Sequence, residues 1–227
     1  MPRVLRVSAL ASLVTICTIG ALRAEFPGTD VVVPVAARIQ GSGNPPPQFY
    51  STVWLTNLST STAATLQLLF YQRDSSSNPT ATASLTLAPG ETRKLDDAVP
   101  TLFNLTAVAG SLRVVASSDV LVSSRNYDLP AGGSEKDTTG QYFAAIPVAF
   151  AIAQGETTQL QGIEQTSEAR YNFGAVEIAG QGVTFHAAVL DPTGAVIGGK
   201  DYTLPSHGQM QKAITDITSA VNGVSNA

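Results

Sequence analysis

Alternation of core-type and polar residues is the feature that most narrows what this chain can fold into. From Phe49 to Asn57, one side of an extended segment carries Phe49, Ser51, Val53 and Leu55, and the other carries Tyr50, Thr52, Trp54 and Thr56. A period of two belongs to a strand with one face turned inward. Ala64 to Arg73 is a strongly apolar strand, with Leu66, Leu68 and Phe70 on one face. Asp30 to Ile39 reads as a first strand in which Pro34 marks an edge or a bend. Ala81 to Leu87 and Thr92 to Leu95 read as further strands, with Pro89-Gly90 turning between them. Asp97 to Leu105 breaks the alternation and fits one short helix or turn. Ser111 to Ala116 and Val120 to Tyr127 read as a hairpin around Ser117, Ser118 and Asp119. Short strands with turn signals about every 8–12 residues predict a β-sandwich. Trp54 is expected at or near its core, where large aromatics usually lie.

The second half of the chain follows the same plan. Val33-Pro34-Val35-Ala36 returns as Ile146-Pro147-Val148-Ala149, and Tyr50–Asn57 as Arg170–Glu177. Thr65–Tyr71 returns as Val183–Val189, whose Val183, Phe185, Ala187 and Val189 share a face. Thr86–Gly90 matches Thr203–Gly208, and Leu95–Val99 loosely matches Ile214–Ile217. Five matches in unbroken order, offset by about 113 to 120 residues, point to an internal repeat. Nothing in the second copy answers Ser111–Tyr127, so that copy is expected to lack its last hairpin. An incomplete sandwich presents an unpaired edge that could accept a partner's strand.

The first 24 residues are different. Arg3 and Arg6 precede an apolar run from Val7 to Leu22, and small residues surround Ala24. That is the three-part pattern of a secretory signal peptide cleaved after Ala24. The run is shorter than the roughly 20 residues that span a bilayer. The single cysteine, Cys17, lies inside this leader and would leave with it, so disulfides and thiolate metal sites are not expected. Loss of Arg3, Arg6 and Arg23 would take the net charge from −4 to −7. A chain so charged repels phosphate backbones and anionic membranes, which argues against nucleic acid as a partner. With 44% hydrophobic and 13% charged residues, the chain lacks the signature of disorder. The expected organisation is a signal peptide over 1–24, a first sandwich over 25–130, a Gly-rich linker over 131–141 and a second, incomplete sandwich over 142–227.

Several stretches together resemble a known family. They are Val53-Trp54-Leu55-Thr56-Asn57-Leu58-Ser59, Leu87-Ala88-Pro89-Gly90-Glu91-Thr92, Asp96-Asp97-Ala98-Val99, Gly110–Val114 and Val122–Tyr127. This pattern is similar to a repeated immunoglobulin-like sandwich unit of secreted bacterial proteins. Gly140 to Pro147 is similar, with an insertion, to the segment that joins successive units in that family. The resemblance implies an all-β fold of two tandem immunoglobulin-like sandwiches and a place outside the cytoplasm. It implies no defined activity.

Catalytic candidates are few. His186 and His207 are the only histidines, and a zinc site needs three or four suitably spaced ligands. No Gly-x-Ser-x-Gly elbow and no phosphate-cradling glycine loop occurs. Asp96 and Asp97 are adjacent, so in a strand they face opposite sides. In a turn they would cap the following segment. Neither cofactor nor metal is expected. Tyr50 and Trp54 on one strand face, with Arg125 and Tyr127 in the last strand of the first unit, are the candidate ligand-binding residues. The function expected is that of an exported, non-catalytic adhesion or spacer module with a protein or polysaccharide partner at the cell surface. A periplasmic chaperone-like or strand-exchange protein and a carbohydrate-binding module are the alternatives.

Overall fold

The alternating segments form strands, and the chain is predominantly β. The computed structural model describes residues 26–42, 44–75, 78–130, 133–134 and 138–225. The expected leader, 1–24, lies outside the described residues. The first half contains β1 (Gly28–Gln40), β2 (Gln48–Asn57), β3 (Ala64–Gln72), β4 (Ala81–Leu87) and β5 (Thr92–Leu95). A short helix α1 (Ala98–Phe103) follows, then β6 (Val108–Leu129), β7 (Thr139–Ala144) and β8 (Ile146–Pro147). The stretch read as linker, 131–141, therefore ends inside β7, which pairs with β6.

These eight strands make one sheet in the order β4-β3-β6-β1-β2-β5, with β7 on β6 and β8 on β1. The sheet curls into a half-barrel because β6 changes partners along its length. Gly110–Ala116 lies against β3, with β1 on the opposite edge. Val120–Leu129 lies against β2, and Ser123–Asp128 also pairs with β7. The path closes further where Ile39 of β1 meets Phe49 of β2. Val31, Val33, Val53, Leu55, Leu66, Leu68, Phe70, Leu112, Val114, Val120 and Val122 fill the concave side.

β6 corrects one expectation. Ser117-Ser118-Asp119 is not a hairpin turn; the strand continues through it, 22 residues in all, with its β1 register shifting between Val115 and Val120. The triplet has no Gly or Asn to supply the positive φ that tight hairpin turns demand. Pro34 behaves as expected. It has no N–H to give the ladder, and the β1–β6 register shifts between Val33 and Ala36. The groups freed there are met by the side chains of Ser51, which is buried, and Asn126, which is half-buried. The Asn126 amide donates to the Val35 carbonyl at 2.8 Å, and the Ala37 N–H donates to Ser51 Oγ at 2.7 Å. Ser51 in turn donates to Asn126 Oδ1.

The second half is built from smaller pieces: β9 (Glu164–Gln165), β10 (Asn172–Val176), β11 (Val183–Leu190), β12 (Val196–Leu204), β13 (Gln209–Ala213) and β14 (Val224–Ser225). β10 pairs antiparallel with β13, as β2 does with β5. β11 pairs antiparallel with β12, as β3 does with β4. The turns agree as well. The Asn57 N–H bonds to the Glu91 carbonyl at 2.9 Å, and the Glu177 N–H to that of Gly208 at 2.8 Å. Gly90 and His207, at matching turn positions, both have positive φ. Phe173, Val189, Tyr202, Leu204, Met210 and Ile214 form a separate small core. Measured against the first half, the described residues of the second lack the long strand β6 rather than a hairpin, and the segment matched to β1, Ile146–Ala149, pairs with β1 itself through β8.

Among the described residues, the two halves meet around Arg113 and Tyr71. Arg113 donates to both oxygens of Asp30, at 2.8 and 2.6 Å, and its Nη1 reaches the Ile178 carbonyl at 3.4 Å. Beside it the His207 ring packs on Tyr71 with centroids 4.7 Å apart.

Candidate functional site

The convex side of β2 and the adjoining strands carries the aromatic cluster. Along β2 the inward positions are Ser51, Val53, Leu55 and Asn57, all fully buried. Tyr50, Thr52, Trp54 and Thr56 must then point outward. Trp54 is thus half-exposed on the convex face and absent from the core cluster, contrary to its expected core position. Its neighbours Val53 and Leu55 take the interior, and parity along the strand leaves Trp54 no choice.

Register brings three of the four expected residues together. Tyr50 stands directly opposite Tyr127, and Thr52 opposite Arg125. The two tyrosine rings stack, with centroids 5.6 Å apart and planes 13° from parallel. Arg38, from the end of β1, lies over Tyr50 with its guanidinium carbon 4.2 Å from the ring centroid. Arg125 lies 5.0 Å from the Tyr127 centroid. The result is a ladder of arginine, tyrosine, tyrosine and arginine. Each cation meets the negative face of a ring, an interaction of roughly 0.5–1 kcal/mol at an exposed site. Trp54 sits four residues further along β2, about 13 Å from Tyr50 at the strand rise. It is opposite Lys94 on one side and Ser123 on the other.

Polar neighbours fix this face. The Arg125 Nη2 donates to Thr138 Oγ1 at 2.9 Å, and Arg38 makes an ion contact with Asp97 at 3.4 Å. Burial pushes the Asp97 carboxyl above its ordinary range, against the opposing pull of Arg38. Thr52 donates to Asp96 at 3.2 Å, and Lys94 pairs with Asp96 at 2.8 Å. Tyr142 of β7 lies opposite Arg125 and is 56% exposed. The arrangement is a rigid patch of flat rings and planar cations held by paired strands. Its arginine edges can pair with acidic side chains of a protein, and the exposed Tyr142 ring beside it can stack on a flat group. It places no nucleophile beside a base.

The other candidates lie apart. His186 is exposed and paired with Asp201 at 2.6 Å on the outer face of β11–β12. Among the described residues, no three His, Cys, Asp or Glu side chains converge as metal ligands would. An open depression of about 520 Å³ on the β3–β4–β6 surface is lined by Thr65, Gln67, Ser84, Thr86, Val115 and Ser117, with no charged group. None of the described helices is long and apolar enough to cross a membrane.

Three residues with clear roles escape a reading of the sequence. Arg38 joins the ladder from the end of β1, beyond the register shift between Val33 and Ala36. Asn57 and Glu177, at matching positions, clamp matching loops. The buried Asn57 amide donates to the carbonyls of Thr62 at 2.8 Å and Ala88 at 3.0 Å. The buried Glu177 carboxylate accepts from the N–H groups of Ala179 at 2.7 Å, Gly180 at 3.0 Å and His207 at 2.7 Å. A polar residue ending each of two aligned apolar strands was the available signal.

No family model and no curated protein matches the chain. One solved structure, the crystal structure of Thermotoga maritima 1070, is similar at 13% identity over 52% of this chain and 93% of its own, with a TM-score of 0.41.

Proposed function

We propose that the chain is an exported, non-catalytic binding module that acts outside the cytoplasm as an adhesion or spacing element. The convex face of β2, β6 and β7 is its contact surface. One observation carries this reading: the Arg38–Tyr50–Tyr127–Arg125 ladder, with Trp54 and Tyr142 beside it, is displayed on paired strands. Aromatic and arginine side chains at fixed positions are the groups that dominate binding surfaces. Support for two tandem immunoglobulin-like units comes from the shared pairings β2·β5 with β10·β13 and β3·β4 with β11·β12. The sequence resemblance to secreted bacterial repeat units, and the leader pattern over 1–24, support export. Tyr142, 56% exposed beside the ladder, also suits a polysaccharide as the ligand, since sugar rings stack on exposed aromatic rings.

The test is depletion of the purified protein from solution by cellulose, chitin, peptidoglycan and protease-treated or untreated envelope preparations. Depletion by at least one of these is expected, and most of it should vanish in the Tyr50→Ala/Trp54→Ala double variant. Loss of binding after protease treatment would mark a protein ligand. If no preparation depletes the protein, or if the double variant binds as well as wild type, the assignment of this face fails. Export is tested separately, by fusing residues 1–24 to a reporter and sequencing its N-terminus for cleavage after Ala24.

A further inference from the structure

In the first half, β6 is the strand that joins everything. One edge of β3 takes Gly110–Ala116, and one edge of β2 takes Val120–Leu129. The outer edges of the same strands take β4 and β5. In the second half β11 pairs with β12 and β10 with β13, and among the described residues neither has a partner on its other edge. Those are the edges that β6 would occupy by analogy. They present unpaired N–H and C=O groups along two strands.

Burial tells the same story. Leu66 and Leu68 on β3 and Ser51 and Leu55 on β2 are sealed. Their counterparts by strand pairing and inward direction, Phe185 and Ala187 on β11 and Tyr171 and Ala175 beside and on β10, are only half-buried. On the same two strands Val189 and Phe173 are buried, as is Leu204 of β12. Cover on the flank that β6 seals in the first half is therefore incomplete, with Phe185, Ala187, Tyr171 and Ala175 the positions left partly open.

We infer that the open edges of β10 and β11 form a slot for an extended segment of another polypeptide, one with the alternation of β6. The first half specifies the occupant. It runs antiparallel to both strands and carries apolar side chains at every second position, as Leu112, Val114, Val120 and Val122 do. Main-chain hydrogen bonds would supply affinity, and the half-covered Phe185, Ala187, Tyr171 and Ala175 would select the inward side chains. The inference concerns the second half alone and stands apart from the aromatic face proposed above.

The probe is a synthetic peptide of residues 108–129, the chain's own β6. Its control carries Leu112→Ser, Val114→Ser, Val120→Ser and Val122→Ser. Hydrogen exchange of the full-length protein is followed by mass spectrometry, with titration calorimetry for stoichiometry. Without peptide, amides of β10 and β11 should exchange faster than those of β2 and β3. With peptide, one equivalent should slow β10 and β11 roughly tenfold or more, leave β2 and β3 unchanged, and be ineffective in the control form. The inference is overturned if β10 and β11 are already as protected as β2 and β3. It is also overturned if the peptide leaves their exchange unchanged, or if the control protects equally.

Discussion

Replacing Glu177 with Gln probes the clamp that closes the second half. The wild-type carboxylate is 6% exposed and accepts three backbone N–H bonds, from Ala179, Gly180 and His207. Glutamine offers one carbonyl oxygen and one NH₂ group. However the amide is turned, at least one N–H donor then faces another N–H. Losing one charge-assisted bond costs about 1.5–3 kcal/mol, and the stranded buried donor adds about 1 kcal/mol or more. A loss of about 3 kcal/mol raises the population of locally opened molecules roughly 100-fold. Hydrogen exchange in Asn172–Val176 and Gln209–Ala213 at pH 7 should accelerate by that factor, with β2 and β3 unaffected. The pH dependence gives a second reading. Burial alone would raise this carboxyl, but the backbone N–H bonds outweigh it and hold it below the ordinary 4.5. A folded-state value below the unfolded one means that the stabilisation is full above about 4.5 and fades as pH falls through the folded value. The gap between wild type and variant should therefore narrow on acidification. Equal exchange at pH 7, or a gap that widens below pH 4.5, would refute the clamp.

Leu68 is fully buried in the centre of the first core, so Leu68→Ala should cost about 2–5 kcal/mol, read as a lower urea midpoint from Trp54 fluorescence. Gly110→Ala should be worse. An added Cβ would strike the Tyr71 carbonyl group across the β3–β6 ladder and lie 2.9 Å from Gln72 Cα, and backbone there cannot yield. Loss of the near-ultraviolet circular dichroism signal, or failure to accumulate as soluble protein, is the expected outcome.

Much of the fold was legible from period-two patterning alone. The strand at Ala64–Arg73, the short helix after Asp97 and the break at Pro34 all follow from local chemistry. The misread hairpin shows where local chemistry stops. Ser117-Ser118-Asp119 is polar, and a turn would place Ala116 and Val120 on one face just as a continuous strand does. Parity could not separate the two. The absence of Gly and Pro from Ser111 to Leu129 was the clue, since tight turns need backbone freedom that Ser and Asp lack. Trp54 leaves its expected core position for the opposite reason. A preference based on size was set against the alternation of its own strand, and the alternation prevailed. The pairing of Tyr50 with Tyr127 depends on register across 77 positions of sequence, which no local pattern encodes.

The continuity of β6 has a mechanical consequence. A strand of 22 residues at about 3.3 Å each extends roughly 70 Å before curvature, and it is bonded to β1, β2, β3 and β7 along its two edges. Tension applied between the ends of the first half cannot peel away one short element at a time, because the same backbone is stitched into both ends of the curled sheet. That half should yield under load in a single rupture. The second half, assembled from separate two-stranded pieces, should give way earlier and in steps, serving as the compliant link beside a stiff one.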